Sequence, residues 1–372
     1  MLRITVIGAG IVGASVAFRL AQSGAARVWV IDKSKRPGSG TTSASFAWAN
    51  ANAKTPHAYF ELNYAGLEEH LRLRDELPRR APWLQGGGSL EWAEEDANQD
   101  ELCRRVDRLR SWGYAAEWRD ASWVKEALEP NVAFPSPDNP VAFFPEEVWV
   151  DAPRLANTFV ELARQNGAGV DFGTAVEDIE IEGGRVAAVR LQGGERLPTD
   201  VVVNAAGSEA DRVAAMLGLA LPLESSGGLL VRLTVEETPM SRILRSQRVN
   251  LRPDGPGCVL VHHRSIDEEF KSSEAAKDNL CSKLVERARH VVPKLEGARV
   301  GDVRIGVRFI PEDGLPCIGA VPSVPGYYEA VTHSGVTLGP LVGRLLADEI
   351  LTRKVDPLIA PFRPDRFVRE HS

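Results

Sequence analysis

The hydrophobic and polar positions of RITVIGAGIVGASVAFRLAQSGAARVWVID change period twice. Arg3 to Ile7 is a β-branched run of the kind a buried strand carries, and RVWVID is a second such run closing on Asp32. Between them Ala17, Leu20 and Ala21 give a helix a small apolar face, and Gly24 ends it. YFELNYAGLEEHLRLRDEL predicts a long helix leading away from the sheet, and the proline-rich EPNVAFPSPDNPVAFFP predicts a connector. VDAPRLANTFVELARQNGAGVDFGTAV reads as a capped helix running into a strand. VEDIEIEGG, RVAAVRLQGG and ERLPTDVVVNAAG then give short strands broken at Gly183-Gly184 and Gly193-Gly194. They predict a β-meander whose last strand, from Val201 to Val203, rejoins the parallel sheet. From Pro222 to Arg304 the strands lengthen, as in GGLLVRLTV and CVLVHHRS, and AAKDNLCSKLVERARHVV is an amphipathic helix. GYYEAVTH is a closing strand, and HSGVTLGP opens the last helix.

At 372 residues the chain is longer than one core usually reaches, so two domains with interleaved segments are expected. The first takes 1–85, 141–221 and 305–372, and the second, discontinuous, takes 86–140 and 222–304. The expected fold class is α/β: a Rossmann-like domain with a parallel sheet and a β-meander crossover, plus an α+β domain with a mixed or antiparallel sheet. A net charge of −7, with basic residues interleaved with acids as in RLRDELPRRAP, argues against nucleic-acid binding. Cys103, Cys258, Cys281 and Cys317 form neither a C-x-x-C pair nor a metal-type cluster, so thiols in a reducing compartment and no metal are expected. A first strand beginning at Arg3 leaves no room for a signal peptide, and no apolar run approaches the ~20 residues of a transmembrane segment. The expected location is cytoplasmic.

Gly8, Gly10 and Gly13 form G-x-G-x-x-G between strand and helix, with Asp32 at the end of the next strand. Gly8 allows the tight turn, Gly10 lets the backbone approach a pyrophosphate, Gly13 lets helix and strand pack closely, and Asp32 can accept ribose hydroxyls. The same unit serves NAD and FAD. The loop SGTTSASFAWANANAK offers Thr41, Thr42 and Ser43 to phosphate oxygens and small residues to a flat ring, and the long helix that follows, in place of the next strand and helix of an NAD domain, favours FAD. HSGVTLGP offers unpaired N–H groups and the positive end of a helix dipole, which suit an anion or an electron-rich ring edge, or else it is an ordinary capped helix. Arg308, set among Val307, Phe309 and Ile310, is either half of an internal salt bridge or a clamp on a substrate carboxylate. Of His262 and His263 at a strand end, one faces opposite to the other, so one is placed to meet a cavity.

Taken together, these residues make the chain resemble the D-amino-acid oxidase superfamily of FAD enzymes, particularly its glycine oxidase, sarcosine oxidase and D-amino-acid dehydrogenase branch. The resemblance runs nearly end to end, through the unit ending at Asp32, the TTSA loop, the helix and strand at 151–176, NAAG ending on Gly207, R-x-x-x-x-D-G-x-P-x-I-G from Arg308 to Gly319, and HSGVTLGP. It implies that the first domain binds FAD and the second the substrate. Ile11 and Val12 would lie at the pyrophosphate, Asp32 and Lys33 at the ribose, Thr41 and Thr42 at the phosphates, and the backbone of Val176 at the adenine. Phe46, Ala47 and Trp48 would run past the isoalloxazine, and His333, Ser334, Gly335, Val336 and Thr337 would wrap its pyrimidine edge. Arg308 falls where these enzymes bind the substrate carboxylate, and His333 or His263 would assist the amine. Phe309 replaces the usual proline, SFAW replaces S-A-G and sets Trp48 toward the substrate, and His333 replaces the second arginine of glycine oxidase. No cysteine lies in 300–316, where sarcosine oxidase relatives attach flavin, so non-covalent FAD is expected, with Cys317 the alternative attachment. The implied reaction is oxidation of a small amino acid or N-alkyl amino acid to the imine by hydride transfer to flavin, with O2 or another acceptor taking the electrons. A 2-hydroxy-acid oxidase and a flavin-binding subunit of a larger dehydrogenase are the competing readings, and an oligomer is compatible with all of them.

Overall fold

In the computed structural model, residues 1–77, 83–272 and 277–367 are described. A six-stranded sheet runs in the order Cys317–Ala320, Tyr327–Val331, Val201–Asn204, Leu2–Ile7, Ala26–Asp32, Gly169–Phe172. Every neighbouring pair is parallel except the first. Period-two alternation explains why its strands read as continuous hydrophobic runs. Ile4, Val6, Val28, Val30, Val201 and Val203 face one core with the helices Ile11–Gln22, Ala152–Gln165 and Gly335–Thr352, while Ile7, Ile31 and Val202 face the other. That second face is covered by the meander Val176–Glu182, Arg185–Leu191 and Arg196–Pro198, through Ile179, Val186 and Val189. On the helix side Phe18 stacks on Phe159 with centroids 5.5 Å apart.

An eight-stranded mixed sheet forms the second layer system, ordered Arg299–Pro311, Leu223–Thr234, Cys258–His262, Asn250–Pro253, Ile243–Arg245, Ser89–Trp92, Pro140–Phe144, Glu117–Asp120. Alternation again divides its faces. Leu229, Val231, Leu244, Leu251, Val259 and Val261 pack with Leu284, Val285 and Ala288 of the helix Lys277–Val291. Gly228, Leu230, Arg245, Asn250 and His262, one residue out of phase, point to a cavity instead. The sheet is thus apolar on its helix side and polar on its inner side.

Two expectations change. The boundaries expected between 140 and 141 and between 304 and 305 fall inside single strands, Pro140–Phe144 and Arg299–Pro311, because both strands pair along their length in the eight-stranded sheet. The predicted connector contains one of those strands, its Pro140 standing at the first position, where a missing N–H is tolerated. The long helix, His57–Glu76, lies against Gly335–Thr352 so closely that a Cβ on Gly66 would come within 2.8 Å of the Thr337 carbonyl. Residues 275–276 of the predicted amphipathic helix lie outside the described residues.

Candidate active site

Between the two sheets lies a cavity of about 640 Å³. Its floor receives two helix starts. Ile11–Gln22 begins at Gly10 with no side-chain cap, and Gly335–Thr352 begins at Ser334, again without one. Both starts therefore present backbone N–H groups and the positive ends of their dipoles to the same space. Thr42 closes over the first: its hydroxyl accepts from the Ile11 N–H at 3.1 Å, and a Cβ on Gly10 would lie 3.2 Å from that oxygen. The Thr41 hydroxyl donates to the Val307 carbonyl at 2.9 Å and ties this loop to the eight-stranded sheet. The second start is held from behind by His70, whose Nε2 donates to the Val336 carbonyl at 2.8 Å. Burial pushes the His70 imidazole down to about 4, so it stays neutral there.

Gly10, Ile11, Val12, Thr41 and Thr42 line the cavity at one end; Phe46, Ala47 and Trp48 line its side. Gly207, Arg308 and His333, together with Ser334, Gly335, Val336 and Thr337, complete the group of expected residues that meet there. Gly8, Gly13, Asp32, Lys33 and Val176 stand outside the lining. Gly8 and Gly13 shape the turn beneath it. Asp32 folds back onto that turn, its carboxylate accepting from the Ala9 N–H at 2.6 Å and the Ser34 N–H at 2.7 Å. Lys33 pairs with Glu209 at 3.2 Å, and Val176 opens the meander.

His263 also stands outside the lining, and this corrects the expectation for it. The strand ends at His262 and a helix begins at Arg264, so His263 becomes the turn residue. Its Nδ1 accepts from the Ser265 N–H at 3.2 Å, and burial, then Arg287 and His262, push its imidazole down to about 4. The partner that faces the cavity is His262, whose Nε2 meets Asp267 at 2.8 Å.

Arg308 forms the internal salt bridge of the first reading, and its side chain also lines the cavity. One guanidinium nitrogen donates to Asp267 at 2.9 Å, and among the described residues that is its single hydrogen bond, while the side chain lines the cavity and is 33% exposed. Asp267 is well provided for: the Leu229 N–H donates to it at 2.8 Å, and although burial alone would raise its carboxyl, His262, that N–H and Arg308 hold it below the usual range. His333 lines the same space, and burial, followed by Lys54 and Arg308, pushes it down to about 4. It is therefore a neutral hydrogen-bonding group near pH 7, too weakly basic to take a proton from an ammonium.

Lys54 and Arg245, two further cations of the cavity lining, carry no signal in the sequence. Lys54 donates to the Ser334 hydroxyl at 2.9 Å, and burial, then Arg245, pushes it down to about 8. Arg245 bonds Glu91 at 2.6 Å and lies 4.3 Å from the ring centre of Trp48. Trp48 in turn donates to Glu147 at 2.8 Å, a carboxyl pushed up to about 7 by burial against the pull of Ser89, Tyr114 and Arg245. Cys317 lies buried in the edge strand, outside the cavity lining, with its thiol pushed far up by burial.

The comparisons with known proteins bear on this geometry. The family described as DAO, FAD dependent oxidoreductase, matches residues 3–349. The chain belongs to that family. It is therefore an FAD-dependent oxidoreductase whose relatives include amino-acid oxidases. It is similar to the glycine oxidase of Geobacillus kaustophilus, 27% identical over 377 residues that cover 98% of this chain and 97% of that one. It is similar also to hydrogen cyanide synthase subunit HcnC of Pseudomonas aeruginosa, 26% identical over 409 residues, covering 99% and 96%. The crystal structure of the Geobacillus kaustophilus glycine oxidase superposes with a TM-score of 0.85 at 25% identity, covering 99% of this chain and 100% of that one. The residues present suit FAD. Two helix starts share one cavity, and the buried Thr332 hydroxyl and the Asn50 side-chain oxygen, on residues of its wall, have no protein partner among the described residues. No described helix is long and apolar enough to cross a membrane.

Proposed function

We propose that this enzyme oxidises a small amino acid or N-alkyl amino acid, of the glycine, sarcosine or D-amino-acid type, to the imine, with O2 reoxidising the flavin to give H2O2. Bound FAD supplies the acceptor for a hydride leaving the substrate Cα. The helix start at Ile11, with Gly10, Val12, Thr41 and Thr42, would hold the pyrophosphate; Asp32 and Lys33 would meet the ribose, and Val176 and Gly207 would flank the adenosine half. His333 through Thr337 would meet the pyrimidine edge, where a helix N-terminus favours the negative charge that follows reduction. Arg308 receives the substrate carboxylate on the guanidinium edge that Asp267 does not use, which fixes the Cα–H in one orientation. Trp48 forms the wall beside the side-chain position. The observation that carries this reading is Arg308: a guanidinium oriented by a buried acid on one side and open to the cavity on the other. A cytoplasmic location accords with the four free cysteines among the described residues.

The test is the visible spectrum of the purified holoenzyme, before and after anaerobic mixing with glycine, sarcosine, proline and D- and L-amino acids. Bleaching by one of them, reversed by air, is expected. Bleaching by 2-hydroxy acids alone would replace the amine with an alcohol substrate. The similarity to a cyanide synthase subunit supports a second reading, a chain that works inside a larger dehydrogenase. That reading predicts a stoichiometric copurifying partner and a lone chain that no amine bleaches.

Trp48→Ala removes the widest wall of the side-chain position. Its kcat/KM ratio for bulkier amino acids over glycine should rise by about 10-fold, the worth of a methylene or two in an apolar pocket. An unaltered substrate profile would place Trp48 outside the pocket.

A further inference from the structure

The cavity wall carries more positive charge than its acids balance. Arg264 and Glu268 pair with each other, and Arg308 pairs with Asp267. Glu91, however, serves two arginines at once, Arg105 at 2.5 Å and Arg245 at 2.6 Å. Lys54 has no carboxylate within ion-pair distance among the described residues, and its ammonium rests on the Ser334 hydroxyl. The buried Nε of Arg245 has no hydrogen-bond partner among the described residues. A further buried acid that acts on both cations, Glu147, is already engaged by Ser89, Tyr114 and Trp48. Buried cations left without counter-ions are costly, and an anionic ligand removes the cost.

We propose that the cavity takes amines bearing two carboxylates, Arg308 receiving one and Arg245 with Lys54 receiving the other. This rests on the amine-oxidising reading above. Asn50 and Asn52, which also line the cavity, add amide groups beside the second position. Arg245 is held in place to receive an anion, because Glu91 fixes one edge of its guanidinium and the Trp48 ring supports its face.

The experiment titrates the holoenzyme with thiodiacetate and with (methylthio)acetate, following the flavin difference spectrum. The two probes differ by one carboxylate, and neither has an amine to oxidise. At pH 7 the dicarboxylate should bind tighter by about 10-fold or more, as an added charge-assisted contact predicts. The ratio should fall toward one in Lys54→Met and in Arg245→Met, each checked for bound FAD; Arg245→Met leaves Glu91 paired with Arg105. It should also decline as pH rises past about 8, where Lys54 loses its proton. A wild-type ratio near one while both probes bind would overturn the proposal, as would a ratio that both variants preserve. A Lys54→Met variant that moves the flavin midpoint potential but not the ratio would assign the lysine to the cofactor instead. Binding of neither probe, with no amino acid bleaching the flavin, would remove the parent reading and this one with it.

Discussion

Arg308→Ala is expected to retain FAD and to lose about 10²-fold or more in kcat/KM for the amino-acid substrate, as removal of a bidentate, charge-assisted pair costs about 3 kcal/mol. The fold should survive the change. The Arg308 side chain is 33% exposed, so its ion pair with Asp267 adds little to stability. Asp267 is not left bare, because the Leu229 N–H and His262 still hold its two oxygens. What disappears is the guanidinium edge that faces the cavity, and with it the group that fixes the substrate carboxylate. Arg308→Lys should recover part of the rate, since a lysine returns the charge but not the planar fork. Anaerobic stopped-flow reduction separates the two roles: saturating rates near wild type with weakened substrate affinity mean uniform binding, whereas a lowered limiting rate means that orientation is lost as well. Unchanged kinetics in Arg308→Ala would reduce the residue to its salt bridge.

The parts of this molecule that are legible in sequence are those whose signals are local. The strand, glycine turn and helix up to Asp32 declare themselves by a change of hydrophobic period, and the meander by two glycine pairs between β-branched runs. The N-terminal part of the eight-stranded sheet has no such signature. Its strands Ser89–Trp92, Glu117–Asp120 and Pro140–Phe144 join a sheet completed only beyond Leu223, and pairing across that separation leaves no periodic trace at either end. A proline-rich stretch therefore reads as a connector. The histidine pair shows the same limit at the scale of one residue: the alternation is readable, but which histidine meets the cavity depends on where the strand stops, and it stops at His262. Lys54 and Arg245 escape notice because each looks ordinary in its own segment. They become unusual when the fold sets Lys54 against Ser334 and leaves Glu91 shared by two arginines.

Gly13→Ala is expected to abolish stable FAD retention, lowering the affinity by about 10²-fold or more, and to lower Tm by on the order of 5 °C, as overpacking of a close contact does. A Cβ at this position would lie 2.0 Å from the Gly8 carbonyl oxygen and 3.1 Å from the Ala205 Cβ. Neither neighbour has room to yield. Gly8 holds φ at +104°, a conformation reserved for glycine, and its own side-chain direction is closed by the Ala205 carbonyl at 2.3 Å. The helix Ile11–Gln22 cannot retreat, because Ala152–Gln165 and Gly335–Thr352 pack against it. The strain must therefore move the turn, and the turn is what aims the start of the helix Ile11–Gln22 into the cavity. Loss of cofactor should thus exceed loss of stability, since a shift of about 1 Å is small for a core but large for an anion site. Gly40→Ala supplies the comparison within the same region: its Cβ would meet nothing within 4 Å, so FAD content and melting should match wild type. The ratio of flavin to protein absorbance and a thermal melt read both variants. Stoichiometric FAD and unchanged melting in Gly13→Ala would mean that the close approach of helix and strand is not what builds the pyrophosphate site.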